Sequence, residues 1–121
     1  MFIDRELNNY DSINQKLIDV CGAKDNKIVN DSLVVSGLSF MKLRDVLFRI
    51  GKIHLEDTSN NIYIAIIPGG FLKMNYAIVV FNLLEDKLKI AAYAEEGLIN
   101  QHTIEGVLND FKKNIEEYLR A

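Results

Sequence analysis

Ile62-Tyr63-Ile64-Ala65-Ile66-Ile67, then Pro68-Gly69-Gly70, then Tyr76-Ala77-Ile78-Val79-Val80-Phe81-Asn82-Leu83-Leu84, then Glu85-Asp86, then Leu88-Lys89-Ile90-Ala91-Ala92-Tyr93-Ala94: this stretch decides the fold. Three runs rich in β-branched and aromatic residues are separated by turn chemistry, which predicts a meander of antiparallel strands. The first two runs are apolar at almost every position. A strand with one wet face alternates apolar and polar residues, so these strands must be covered on both sides. Each exposed Ile, Val or Phe would cost about 1.5–3 kcal/mol relative to burial.

Helical periodicity flanks the meander. Upstream, Leu7, Tyr10, Ile13, Leu17 and Val20/Cys21 recur at helical spacing, predicting a helix within Asp4 to Cys21 that Gly22 stops. Ser12 and Gln15 also fit a capping box, which would start that helix as late as Ser12. A short strand is expected around Leu33-Val34-Val35-Ser36, paired with Lys27-Ile28-Val29 across Asn30-Asp31. Ser39 caps a second predicted helix, whose stripe is Phe40, Leu43, Val46/Leu47 and Ile50, with Gly51 ending it. Ile53-His54-Leu55 reads as a strand and Asp57 to Asn61 as a loop. Downstream, Glu95-Glu96-Gly97 closes the sheet. Ile104, Val107, Leu108, Phe111, Ile115, Tyr118 and Leu119 make one apolar face of a long amphipathic C-terminal helix, from about Thr103 to Leu119.

The expected fold is therefore α+β, a meander of about four to five antiparallel strands packed with three helices in one domain spanning residues 1–121. The helices could divide between the two sheet faces, or share one and leave the other to a partner.

Charge and cysteine content narrow the function classes. The net charge of −3 argues against a nucleic-acid or anionic-membrane partner, either of which favours a basic face. A single cysteine, Cys21, excludes an internal disulfide. The start of the chain lacks the basic and apolar segments of a signal peptide, so a cytoplasmic location is expected. No apolar run approaches the roughly 20 residues that span a bilayer as a helix.

The search for chemistry yields few candidates. Pro68-Gly69-Gly70 is read as a hairpin turn needing positive φ, because a phosphate loop would lead into a helix rather than a strand. His102 precedes the last helix, where the helix dipole disfavours the imidazolium and would leave a neutral base or ligand. Glu95 and Glu96 offer adjacent carboxylates, but successive strand residues point to opposite faces. Cys21, on or beside an apolar stripe and with no histidine near in sequence, reads as a buried, inert thiol. His54, flanked by Ile53 and Leu55, is expected to face outward. Lys42, Arg44, Arg49 and Lys52 form a modest basic face on the second helix, with Phe48 beside it and Asp45 among them. No metal-ligand spacing, serine elbow or other cofactor motif is present, so no catalytic residue, metal or cofactor is assigned.

Two functional expectations follow. The first is a small intracellular protein-binding module, an adaptor, immunity-type protein or chaperone without catalysis, pairing with a protein partner or with itself as a homodimer. Lys42, Arg49 and Phe48 are its candidate partner contacts. The second is a small-molecule-binding domain or minor enzyme, with a pocket between the sheet and the last helix rimmed by His102, Glu95, Glu96, Gly69 and Gly70. Nucleic-acid binding through the second helix is the weakest reading.

Overall fold

In a computed structural model of the chain, residues 9–69, 73–95 and 102–120 are described. Helix α1 (Asp11–Cys21) leads through a 3₁₀ turn (Asp25–Lys27) to strand β1 (Val29–Val34). Helix α2 (Phe40–Ile50), strand β2 (Lys52–Asp57) and a second 3₁₀ turn (Thr58–Asn60) come next. Strands β3 (Ile62–Gly69), β4 (Asn75–Leu84) and β5 (Lys87–Tyr93) and helix α3 (Thr103–Arg120) complete the order. The strands form one antiparallel sheet, ordered β1-β5-β4-β3-β2. The α+β meander expected from the sequence is what forms. Among the described residues, no helix is long and apolar enough to cross a membrane.

Both sheet faces are covered, and by the chain's own helices. On one face Tyr63, Ala65, Ile67, Val79, Phe81 and Ile90 pack beneath Leu43, Val46 and Leu47 of α2 and Val107, Phe111 and Ile115 of α3. On the other, Ile62, Ile64, Val80 and Ala91 pack beneath Ile13 and Leu17 of α1. The sheet therefore needs no second copy to cover a whole face. Aromatic pairs tie the larger layer together. Phe81 lies 4.6 Å from Phe111 between ring centroids, and Phe40 stacks on Tyr63 at 4.0 Å. Such pairs contribute about 0.5–1.5 kcal/mol beyond burial.

Several local expectations change in three dimensions. Helix α1 begins at Asp11, and Ser12 does not cap it; the Asp11 N–H donates to Asn9 Oδ1 at 2.8 Å instead. Residues 1–8, which include Leu7 of the predicted stripe, lie outside the described residues. Val29–Val34 is one strand running straight through Asn30-Asp31, because its partner is β5 rather than Lys27-Ile28-Val29. Ser39 does cap α2, its hydroxyl accepting from the Lys42 N–H at 3.1 Å. His54 is exposed and sits in a bulge, where pairing jumps from Ile53↔Ala65 to Leu55↔Ile64.

Pro68 and Gly69 are not the turn. They continue β3, pairing with Tyr76 and Asn75; Gly70 lies outside the described residues, and Lys73, just before β4, has a φ of 54°. Gly69 is small for another reason. A Cβ there would stand 2.6 Å from Val107 Cγ2 and 2.9 Å from the Thr103 carbonyl oxygen. The first turn of α3 rests directly on the Gly69 backbone.

Lys89 is 7% exposed at the far end of the α1 face. Its ammonium donates to the Asn9 carbonyl at 2.6 Å and faces the Tyr10 ring at 5.8 Å, fixing the start of α1 over β5. A buried charge needs such partners.

Two outcomes are expected from this packing. Gly69→Ala should destabilise by about 1–3 kcal/mol, the usual cost of overpacking, read from chemical denaturation; no loss would mean that α3 is not seated on Gly69. Tyr63 is fully buried, its hydroxyl donating to the Phe40 carbonyl at 2.9 Å, and burial pushes its pKa up to about 12. The folded state thus favours the neutral phenol. That contribution is complete below the ordinary tyrosine pKa near 10 and is lost as pH rises toward 12. Tyr63→Phe should flatten the fall in stability over this window; an unchanged alkaline limb would place the sensitivity elsewhere.

Candidate functional site: a hollow at the open end of the α1 face

Strand register gathers residues far apart in sequence at one end of the sheet. Pro68 lies opposite Tyr76, Ile66 opposite Ile78, and Ile78 opposite Tyr93, all on the α1 face. Helix α1 is only 11 residues long and packs on the middle of that face. Beyond its C-terminus at Cys21 the sheet opens. Cys21, Asn75, Tyr76, Ile78, Tyr93 and Glu95 line a hollow of about 260 Å³. Pockets for drug-sized ligands run from about 300 to 1,000 Å³, so this one suits a single side chain or a small organic group.

The surroundings are apolar and partly wet. Tyr76 is 54% exposed and Leu55 of β2 is 42% exposed, with Ile66 and Ile78 half-buried and Pro68 exposed. All five project on the face that α1 leaves open, as their pairing through β2, β3 and β4 requires.

Asn75 ties the wall of the hollow together. Its amide nitrogen donates to the Glu95 carbonyl and to the Thr103 hydroxyl, both at 3.3 Å, while its amide oxygen accepts from the Tyr76 N–H at 2.9 Å. The start of β4, Glu95 two residues beyond β5 and the start of α3 are thereby clasped. The Cys21 thiol donates to the Leu17 carbonyl at 3.2 Å. Burial pushes its pKa up, and the neighbouring Glu95 carboxylate pushes it the same way.

The described rim residues named from sequence, Glu95, Gly69 and His102, divide between the two faces at this end of the sheet. Glu95 lines the hollow. Gly69 pairs with Asn75 and lies beneath α3 on the opposite side. His102, with φ of 53°, immediately precedes α3, its Nδ1 3.5 Å from Glu105 Oε1 and its side chain 64% exposed. Gly70 and Glu96 lie outside the described residues. Among the described residues, no group of three or more His, Cys, Asp or Glu is placed to hold a metal ion.

The basic face of α2 is partly consumed within the fold. Arg44 pairs with Glu56 at 2.9 Å and covers the Phe48 ring at 4.6 Å. Arg49 lies over Tyr118 at 5.2 Å, and the Tyr118 hydroxyl donates to Asp45 at 3.1 Å. Arg49 thus helps clasp α2 to α3. Lys42 is exposed, and Phe48 and Met41 are 53% and 61% exposed.

Asn75, Tyr76, Ile78 and Tyr93 were not singled out from sequence. Alternation places Tyr76 and Ile78 on one face, but only the Ile78↔Tyr93 register brings Tyr93 beside them. Compared with known protein families, with characterised proteins and with solved structures, the chain matches none. The class that fold and site define is an α+β sheet covered on both faces, with a small aromatic hollow where the shorter cover ends.

The Cys21 thiol is expected to react slowly. Its raised pKa leaves little thiolate at pH 7, so labelling by an aromatic disulfide should lag a free-thiol standard and accelerate as pH rises above 9. Labelling as fast as the standard at pH 7 would contradict the burial of this thiol.

Proposed function

We propose that this protein is a non-catalytic protein-binding module, and that it docks its partner on the end of the α1 face that α1 leaves open. The observation that carries the reading is that the partly exposed Leu55, Ile66, Pro68, Tyr76 and Ile78 share one sheet face, with Tyr76 and Ile78 lining a hollow large enough for one side chain. Tyrosine is enriched in interface cores, and anchoring side chains that fill a pocket dominate binding energy. Among the described residues, no group of three or more His, Cys, Asp or Glu gathers here to hold a metal ion, which favours binding over metal-assisted turnover. A partner on this patch extends the cover begun by α1, so its contact would be continuous with the core at Ile64 and Val80. Homodimerisation is the version in which the partner is a second copy.

A second reading is supported by the same hollow: a small-molecule-binding domain in which Tyr93 and Glu95 orient a compact ligand. The two readings differ in what the flanking patch does. A small ligand in the hollow has no use for Leu55, whereas a protein partner does.

The test compares wild type with Leu55→Asp/Tyr76→Asp, both at exposed positions and expected to melt within a few degrees of wild type. Light scattering across a concentration series detects a second copy. Capture from a lysate of the source cells, with crosslinking through a residue on β2, detects a different partner. Wild type should engage one of them and the double variant neither. A concentration-independent monomer that captures nothing, or a double variant that binds as wild type does, would sink the proposal.

A further inference from the structure

Two phenol rings and a carboxylate around a small space form a chemically specific set. Tyr76 and Tyr93 line the hollow with Glu95 and Asn75, and Ile78 supplies an apolar wall. Aromatic faces attract cations through their quadrupole, and a carboxylate beside them adds direct charge. The Glu95 side chain faces the same space as the Cys21 thiol, on which its charge acts. Among the described residues no Lys, Arg or His pairs with Glu95; the ion pairs join Arg44 to Glu56, Lys73 to Asp110, His102 to Glu105 and Lys112 to Asp31. The other cations resting on aromatic rings, Arg44, Arg49 and Lys89, sit over Phe48, Tyr118 and Tyr10, away from the hollow. A carboxylate and two aromatic side chains thus meet at a space where, among the described residues, no ion pair neutralises Glu95.

We infer that the hollow is an ammonium-binding pocket, taking an alkylammonium group between Tyr76 and Tyr93 with its charge on Glu95. This deepens the docking reading and rests on it: the group supplied by a protein partner is a lysine side chain, whose apolar stem suits Ile78 and whose head suits the carboxylate. A volume of about 260 Å³ accommodates such a chain and leaves little room for a larger cofactor. Asn75 is a positioning residue, because its amide holds the Glu95 backbone through the carbonyl. A free organic amine carries the same chemistry, and the experiment separates the two sources.

The full-length chain, labelled with ¹⁵N, is titrated with butylammonium chloride, with the neutral isostere butanol, and with a capped Gly-Lys-Gly peptide alongside its Nε-acetyllysine counterpart. Amide shifts at Ile78, Tyr93 and Glu95 report occupancy. Both cations should shift these amides, and butanol and the acetylated peptide should bind about five-fold or more weakly. Glu95→Gln should weaken the cations about five-fold and Tyr76→Leu about two- to three-fold, with amides distant from the hollow unchanged. Added salt should weaken binding further. A peptide that binds more tightly than butylammonium supports a lysine-bearing partner; equal affinity supports a free amine. The inference is overturned if cation and neutral isostere bind alike, if neither shifts these amides, or if Glu95→Gln leaves the affinity within two-fold. Such a failure leaves the docking surface standing wherever Leu55→Asp/Tyr76→Asp still abolishes partner engagement. Loss of that engagement result, with ammonium binding intact, would instead favour the small-ligand reading.

Discussion

Strands β3 and β4 are apolar on both sides, and the remaining architecture answers that constraint. Tyr63, Ala65 and Ile67 point one way along β3 and Ile62 and Ile64 the other, and all are almost fully buried. With about 25 cal/mol gained per Å² of apolar surface removed from water, neither side can be left wet over its whole extent. Helices α2 and α3 together shield one face, and α1 shields the other. The chain thus solves internally a problem that another sequence of this kind could solve by dimerising.

The two covers are unequal, and the difference shapes the surface. Two helices lie side by side across the larger layer, joined by the Tyr118–Asp45 hydrogen bond and by Arg49 over Tyr118. One short helix lies on the other face, anchored at its start near Lys89 and ended by Gly22 in the left-handed conformation. Where that helix stops, the paired residues of β2, β3 and β4 remain partly exposed and the hollow forms. The same end of the sheet is held firmly, since Asn75 links β4 to Glu95 and Thr103 while Gly69 lets α3 pack onto the β3 backbone.

Much of the fold was legible in the linear chain. Strand runs 62–67, 76–84 and 88–94, the Ser39 cap, the Gly51 stop and the apolar face of α3 all follow from side-chain period and local backbone preference. Misreadings arose where a tertiary contact outweighed a local signal. Pro68-Gly69-Gly70 carries turn chemistry, yet Pro68 and Gly69 extend β3, and glycine at 69 serves the approach of Val107 and Thr103. Asn30-Asp31 likewise favours a turn, yet pairing with Ala91 and Ile90 of β5 keeps it extended. Ser12 resembles a cap but lies inside α1, whose cap position is Tyr10, while Asn9 Oδ1 accepts from the Asp11 N–H just ahead of it.

The hollow was far less legible than the elements around it. Glu95 stood out as a carboxylate at a strand end, but Tyr76 and Tyr93 looked like ordinary members of apolar runs. Their common surface exists only because β4 and β5 pair in one register and α1 ends short of them. Sequence by itself determined which segments are strands and helices and that the sheet must be dry on both sides, since these depend on period and on the cost of wetting apolar groups. Tertiary structure decided which helix covers which face, where the cover ends and which polar groups meet there. Those outcomes depend on register and helix length across the assembled sheet, contacts between residues that no local pattern brings together.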